Sequence, residues 1–249
     1  MRSEMLIDNQ KLILACEAAA NESRLGIGEL GEKTLHRTLK HYFEPDTDFH
    51  EVAFCGSVAD IKNSNGIIEI QTRSFDRLIP KLNRFLPESN VTIVYPIVEC
   101  KTICKVNVDS GESLPPRKSP RKGRISDALA ELSKIRDFLP NPKLKIIILF
   151  LDATEIRMAS GSTAVGRRRT SKIDQIPTSL KSFVILQDAL DYNILVPSSL
   201  GDSFTSAEFE RSSGLHKINL HNSLMLLLSL GILTREKQGR RYVYTRTNK

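Results

Sequence analysis

The chain has no uninterrupted apolar stretch near its start, because Glu4, Asp8, Lys11 and Glu17 punctuate the first twenty residues. A signal peptide or membrane span needs an unbroken apolar run, so neither is expected; the cytoplasm is the expected location, without a membrane partner. Cysteine is also sparse. Cys16, Cys55, Cys100 and Cys104 offer one CxxxC pair and no second cluster at ligand spacing, so reduced, unliganded thiols are the expectation and zinc the minor reading. No GxxxxGK[ST] loop occurs, which leaves nucleotide hydrolysis unsupported. No serine elbow accompanies a histidine, so no hydrolase triad can be assembled. No 20- to 50-residue period repeats, which removes solenoids.

What is plentiful is positive charge. The 249 residues carry a formal net charge of +7 and a pI near 9.3. A basic balance can merely keep a protein soluble, so its distribution decides. Three clusters stand out: Arg117, Lys118, Arg121, Lys122 and Arg124; Arg167, Arg168, Arg169 and Lys172; and Arg235, Lys237, Arg240 and Arg241. Spread along the chain, they suggest a long surface tracking phosphates, with solvated loops as the alternative. A hydrophobic content of 40% suffices for a buried core, and the length suits one or two domains.

Periodicity predicts a helix over 4–20 with Leu6, Leu12, Ile13 and Cys16 inward, a two-glycine loop over 24–28, and a second helix over 29–43. On the second helix Leu35, Leu39, Tyr42 and Phe43 form the apolar arc, and Glu32 falls inside it. A carboxylate facing a core needs a cation or donors. Strands are expected at 51–56, 58–62 and 67–72, a Pro80-kinked helix from Phe75 to Leu86, and a strand over 91–95 ended by Pro96. Residues 109–124 read as a loop, 126–139 as an amphipathic helix and 145–151 as a central buried strand. Strands alternating with helices indicate a mixed α/β sheet.

The stretch from Asp60 to Gln71 carries the chemistry. Along Ile67 to Thr72, period-2 alternation puts Glu69 and Gln71 on one face and Ile68 and Ile70 on the other. A hairpin through Asn63-Ser64-Asn65-Gly66 brings Asp60 beside Glu69. Two carboxylates at a sheet end outline a site for a hard divalent cation. These residues resemble the PD-(D/E)XK nuclease superfamily, particularly its restriction-endonuclease-like and junction-resolvase-like members, over roughly residues 25 to 100. The resemblance implies a restriction-endonuclease-like mixed sheet flanked by helices. It also implies Mg²⁺ or Mn²⁺ bound by Glu32, Asp60, Glu69 and the carbonyl of Ile70, with Gln71 standing where such motifs place a lysine. Ala59 stands where the nominal proline would be. A lysine near the attacking water can shift its protonation, whereas glutamine only orients it through hydrogen bonds. Arg73 and Arg77 are candidate phosphate contacts, and His36, with Lys40 near it, a candidate for proton transfer or phosphate contact.

The last 65 or so residues differ in character. A capped helix at Thr205–Phe209, a turn at Ser212–Leu215, a helix from Lys217 to Leu230 with Ile218, Leu224, Leu227 and Leu228 apolar, a Gly231 cap and a hairpin around Gln238-Gly239 have the layout of a winged helix-turn-helix. Lys217, Asn219, His221 and Asn222 would enter the major groove, and Arg240 and Arg241 would meet phosphates. The expected division is a nuclease-like domain over 1–178 and a DNA-binding domain over 179–249. Two functions follow: a metal-dependent endonuclease acting on double-stranded DNA, with a homodimer natural for cutting both strands, or a non-catalytic DNA-binding regulator on a degenerate nuclease fold.

Overall fold

The computed structural model describes residues 7–24, 34–107, 113–159 and 170–247. Glu32, Leu6, the loop over 25–28 and the arginines at 167–169 lie outside the described residues, as does the part of the expected second helix before Thr34.

Six α-helices and ten strands are described. The helices are α1 (Asn9–Arg24), α2 (Thr34–Phe43), α3 (Ile79–Phe85), α4 (Ser126–Leu132), α5 (Ser206–Ser213) and α6 (Lys217–Ser229). The strands are β1 (His50–Phe54), β2 (Ser57–Asn63), β3 (Gly66–Ile70), β4 (Val91–Asn107), β5 (Ser113–Lys118), β6 (Leu144–Ala159), β7 (Thr170–Leu186), β8 (Ser203–Thr205), β9 (Leu233–Gln238) and β10 (Arg241–Arg246). The fold is mixed α/β. A seven-stranded sheet runs β1-β2-β3-β4-β6-β7 with β5 paired to β4, and β8-β10-β9 form a small second sheet. The β2–β3 pair is antiparallel and β3–β4 parallel, so the large sheet is mixed.

The chain forms two compact units. The first comprises 1–50, 96–123 and 149–183; the second comprises 51–95, 124–148 and 184–249. In the first unit α1 packs on α2. The inward positions of α1 are Leu12, Ala15 and Ala19, and the small alanines let the helices approach closely. Ile13, expected inward, is 58% exposed; it lies about 100° round the helix from Leu12. Asn9 fastens α1 to β7 by accepting from the Leu180 N–H at 2.7 Å and donating to its carbonyl at 3.2 Å.

Two expectations in this unit are corrected. Strand β4 does not end at Pro96 but continues to Asn107. The β3 ladder has already finished where Gln71 N–H meets the Val94 carbonyl, so the proline's missing N–H costs no bond to β3. Within the expected loop over 109–124, Ser113–Lys118 is instead an exposed strand antiparallel to β4. Its Pro115-Pro116 pair falls where the register shifts between Ile103 and Lys105, a bulge that tolerates residues without donors.

In the second unit, Phe75, Leu78, Leu82, Phe85 and Leu86 are buried. A 3₁₀ turn over Phe75–Leu78 gives way to regular helix α3 at Ile79–Pro80, because proline suits a helix start and disrupts an interior. The expected helix over 126–139 is divided: α4 is followed by a 3₁₀ segment, Ser133–Phe138, with Ile135 at non-helical φ −114° and ψ 23°. Its inward residues Ala128, Leu129, Leu132, Ile135 and Leu139 are nonetheless all buried. Near the C-terminus, Thr205 and Glu208 form a reciprocal capping box at α5, Gly214 ends that helix at φ 71°, and α6 packs against α4. Leu224, Leu226 and Leu227 are buried, but Ile218, expected to share their face, is 65% exposed at the start of α6. No helix among the described residues is long and apolar enough to cross a membrane.

Candidate active site

The candidate centre is built on the β2–β3 hairpin of the second unit. Its register pairs Ile61 with Ile68, Lys62 with Ile67 and Asn63 with Gly66, so continuing one step puts Asp60 opposite Glu69. The turn is held by the Asn65 N–H donating to the Asn63 side chain at 2.9 Å, a local bond that asparagine makes readily. Gly66 sits at φ 121°, and a Cβ there would lie 2.6 Å from the Asn90 carbonyl oxygen. That carbonyl also accepts from the Ile67 N–H at 2.9 Å. Only glycine therefore permits β3 to lie this close to the start of β4.

The two carboxylates are cross-braced by backbone. Asp60 N–H donates to Glu69 Oε1 at 3.3 Å, and Ile70 N–H donates to Asp60 Oδ2 at 2.7 Å. Glu69 is 2% exposed and Asp60 9%. Both point at a third group that the motif alone does not reveal. Lys81 on α3 places its Nζ 2.7 Å from Glu69 Oε2 and 3.6 Å from Asp60 Oδ1. Burial, followed by the Asp60 charge, raises the Glu69 carboxyl to about 7 despite the ammonium. Burial works against the Lys81 charge, but Asp60 and Glu69 outweigh it and hold its pKa above the ordinary lysine value.

Gln71, expected from the resemblance to stand in place of a lysine, has a structural part here. Its Nε2 donates to the Ser74 carbonyl at 3.1 Å, bracing the turn into the Phe75–Leu78 segment. Ile70 is buried and gives its N–H to Asp60. Arg73 and Arg77 are exposed after β3. With Glu32 outside the described residues, the ligand set visible here is Asp60 and Glu69. Their oxygens meet around one cationic atom, and hard carboxylate oxygens disposed in this way suit a small divalent cation. The residues therefore fit Mg²⁺ or Mn²⁺, on condition that Lys81 yields part of its place.

Of the other candidate contacts, His36 is half-buried and Lys40 buried on α2 in the first unit, while the described ones of the basic clusters and of α6 are exposed. Arg117 and Lys118 lie on β5, with Arg121 and Lys122 just beyond it. Lys118 and Lys122, with Lys101, Asp152 and Thr178, line a cavity of about 260 Å³ in the first unit. Lys217, Asn219, His221 and Asn222 are exposed on the first turns of α6, and Arg240 and Arg241 at the tip and start of the β9–β10 hairpin. The hairpin is stiffened by Arg235, whose guanidinium carbon lies 4.4 Å from the Tyr242 ring centroid.

The fold and this cluster define a mixed α/β protein with a buried acid–acid–amine centre at a sheet hairpin. The chain belongs to the family described as "Domain of unknown function (DUF8091)", which matches residues 33–187 and so includes the whole cluster. It is also similar to a protein of Treponema pallidum (strain Nichols) described as uncharacterized. The two are 34% identical over 128 residues, which cover 51% of this chain and 51% of the relative. The chain thus spans about half the length of that relative. No solved structure matches.

Proposed function

We propose that the protein is a metal-dependent DNA endonuclease of the PD-(D/E)XK type, its sheet belonging to the restriction-endonuclease-like class and its C-terminal helices and hairpin forming a winged helix. The observation that carries the reading is the meeting of Asp60, Glu69 and Lys81 within 3.6 Å of one ammonium. Asp60 and Glu69 would hold Mg²⁺ or Mn²⁺. When bound, the ion supplies charge neutralisation and Lewis acidity toward a phosphodiester.

The chain's own residues divide the remaining work. Ile70 N–H and Asp60 N–H keep the two carboxylates aimed at the same point. Glu69 carries a proton or an electron pair near neutral pH, and would hold a divalent cation in its deprotonated form. Lys81 supplies the positive charge whose usual position is filled by Gln71, and it does so from a helix rather than from the strand. An ammonium this close to the carboxylates can bind the scissile phosphate and stabilise its developing charge. Arg73 and Arg77 would hold flanking phosphates, while Lys217, Asn219 and Asn222 meet base edges and Arg240 and Arg241 meet backbone. A cytoplasmic homodimer acting on double-stranded DNA completes the reading.

The same ammonium favours a second reading. A lysine sitting where a cation would sit makes the pair self-neutralised, as in a DNA-binding regulator that has lost catalysis. Incubation with plasmid and branched DNA in Mg²⁺ and in Mn²⁺ separates the two. Cleavage by wild type that is lost in Asp60→Ala supports the enzyme; equal cutting by both proteins sinks the assignment. Absence of cutting on every substrate, with salt-sensitive binding retained, gives the regulator.

A further inference from the structure

A second set of ligating side chains lies in the first unit and has no part in the proposed centre. Glu22 near the end of α1, His41 on α2 and His50 at the start of β1 each offer one ligand atom, all within 4.8 Å of one another. Two observations distinguish this group from an ordinary polar cluster. His41 is only 5% exposed, and its buried Nε2 makes no hydrogen bond. That nitrogen lies 3.0 Å from Glu22 Oε1, off the axis of a hydrogen bond. A tetrahedral shell with bonds of about 2.1 Å has ligand–ligand edges of about 3.4 Å, so the separation resembles two ligands sharing an ion.

The surroundings orient the donors. His50 Nε2 is 2.8 Å from the Glu44 carbonyl oxygen. A carbonyl only accepts, so Nε2 carries the proton and the neutral ring's lone pair is on Nδ1. Donation of the second ring nitrogen to a backbone carbonyl is what fixes a metal-binding histidine. Glu22 Oε2 has Arg37 Nε at 3.9 Å, and Arg37 is itself tied to the Ala19 carbonyl at 3.2 Å, leaving Oε1 for the ion. The His41 and His50 rings stand edge to face with centroids 5.1 Å apart. The buried cations Arg37 and Lys40 oppose an added dication, which restricts the site to metals that imidazole binds strongly.

The geometry points to a divalent transition-metal site of the zinc class, formed by Glu22, His41 and His50, with a fourth position open to water or an external ligand. It is chemically distinct from the carboxylate pair, whose oxygens suit Mg²⁺ or Mn²⁺. Two imidazoles and one carboxylate with an open position match zinc sites able to bind a further ligand, and the site also ties α1 and α2 to His50.

The test uses the full chain, stripped by chelator and carrying Asp60→Asn to silence the other cluster. Calorimetric titration with Zn²⁺, and visible absorption with Co²⁺, should show one ion per chain. His50→Gln and Glu22→Gln, both at partly exposed positions, should each weaken binding about 10-fold or more while the metal-free melting temperature is unchanged. Zn²⁺ should raise the melting temperature of the Asp60→Asn protein more than that of either further variant. Independently of any variant, Zn²⁺ should shift the imidazole nitrogen resonances of His41 and His50 in the wild type. Unshifted resonances, no stoichiometric binding at micromolar metal, or binding by both variants as tight as that of the Asp60→Asn parent would overturn the proposal.

Discussion

Replacing Glu69 by glutamine probes the centre without disturbing its packing. In the folded chain the Glu69 carboxyl titrates near 7, raised first by burial and then by the Asp60 charge, against an ordinary 4.5. The folded state therefore holds this proton more tightly than the unfolded chain does. The corresponding stability is fully present below pH 4.5 and is lost as pH rises through 7. At about 1.4 kcal/mol per pH unit, the displacement amounts to about 3 kcal/mol as an upper bound. Glu69→Gln keeps the neutral shape at every pH. Urea unfolding followed by circular dichroism, suited to a chain with no tryptophan, should give coincident stabilities for the two proteins near pH 4.5. By pH 8 the variant should be the more stable by up to about 3 kcal/mol. Lys81 lies 2.7 Å from Glu69, and if its attraction outweighed burial, wild type would gain on the variant between pH 4.5 and 7; that result would refute the reasoning.

Lys81→Met should lower Mg²⁺-dependent plasmid nicking by about 100-fold or more, and the exchange Lys81→Gln with Gln71→Lys should restore part of the rate, measured by single-turnover cleavage. Gly66→Ala, which meets the Asn90 carbonyl at 2.6 Å, should cost about 2–3 kcal/mol in urea unfolding. Gly56→Ala has open space around its Cβ and should cost only about 1–2 kcal/mol of left-handed strain. Arg240→Ala and Arg241→Ala should weaken duplex binding uniformly across sequences and reduce the salt slope by about 1 each, measured by fluorescence anisotropy at several salt concentrations.

Much of this architecture is legible from local pattern. The hairpin with its turn at Ser64-Asn65, the buried strand from Leu144 and the capping box of Thr205 and Glu208 all rest on signals contained within about ten residues, and the structure has each of them. The juxtaposition of Asp60 with Glu69 follows from hairpin register alone. What escaped depends on longer separations. Lys81 lies twelve residues beyond Glu69, on α3 at the border of the arc formed by Leu82 and Phe85, and a lysine at such a border usually reaches solvent. Its charge set against the apolar arc, as for Glu32, was the one signal available. Strand β5 was hidden by Pro115-Pro116, because the bulge that accommodates the pair exists only in its pairing with β4 and is invisible in the local sequence. His41 and His50 escaped because α2 shows a histidine among polar neighbours, and only tertiary packing gives it 5% exposure.

The crossed hydrogen bonds from Asp60 N–H to Glu69 and from Ile70 N–H to Asp60 have a consequence for biosynthesis. A slip of β2 against β3 by one residue sends alternate side chains to opposite faces, separating the carboxylates and uncoupling both bonds. The asparagine turn and the tight approach at Gly66 oppose that slip. Assembly of the centre is thereby conditional on correct pairing of the hairpin, so a chain that has not finished folding in the cell carries no competent cluster.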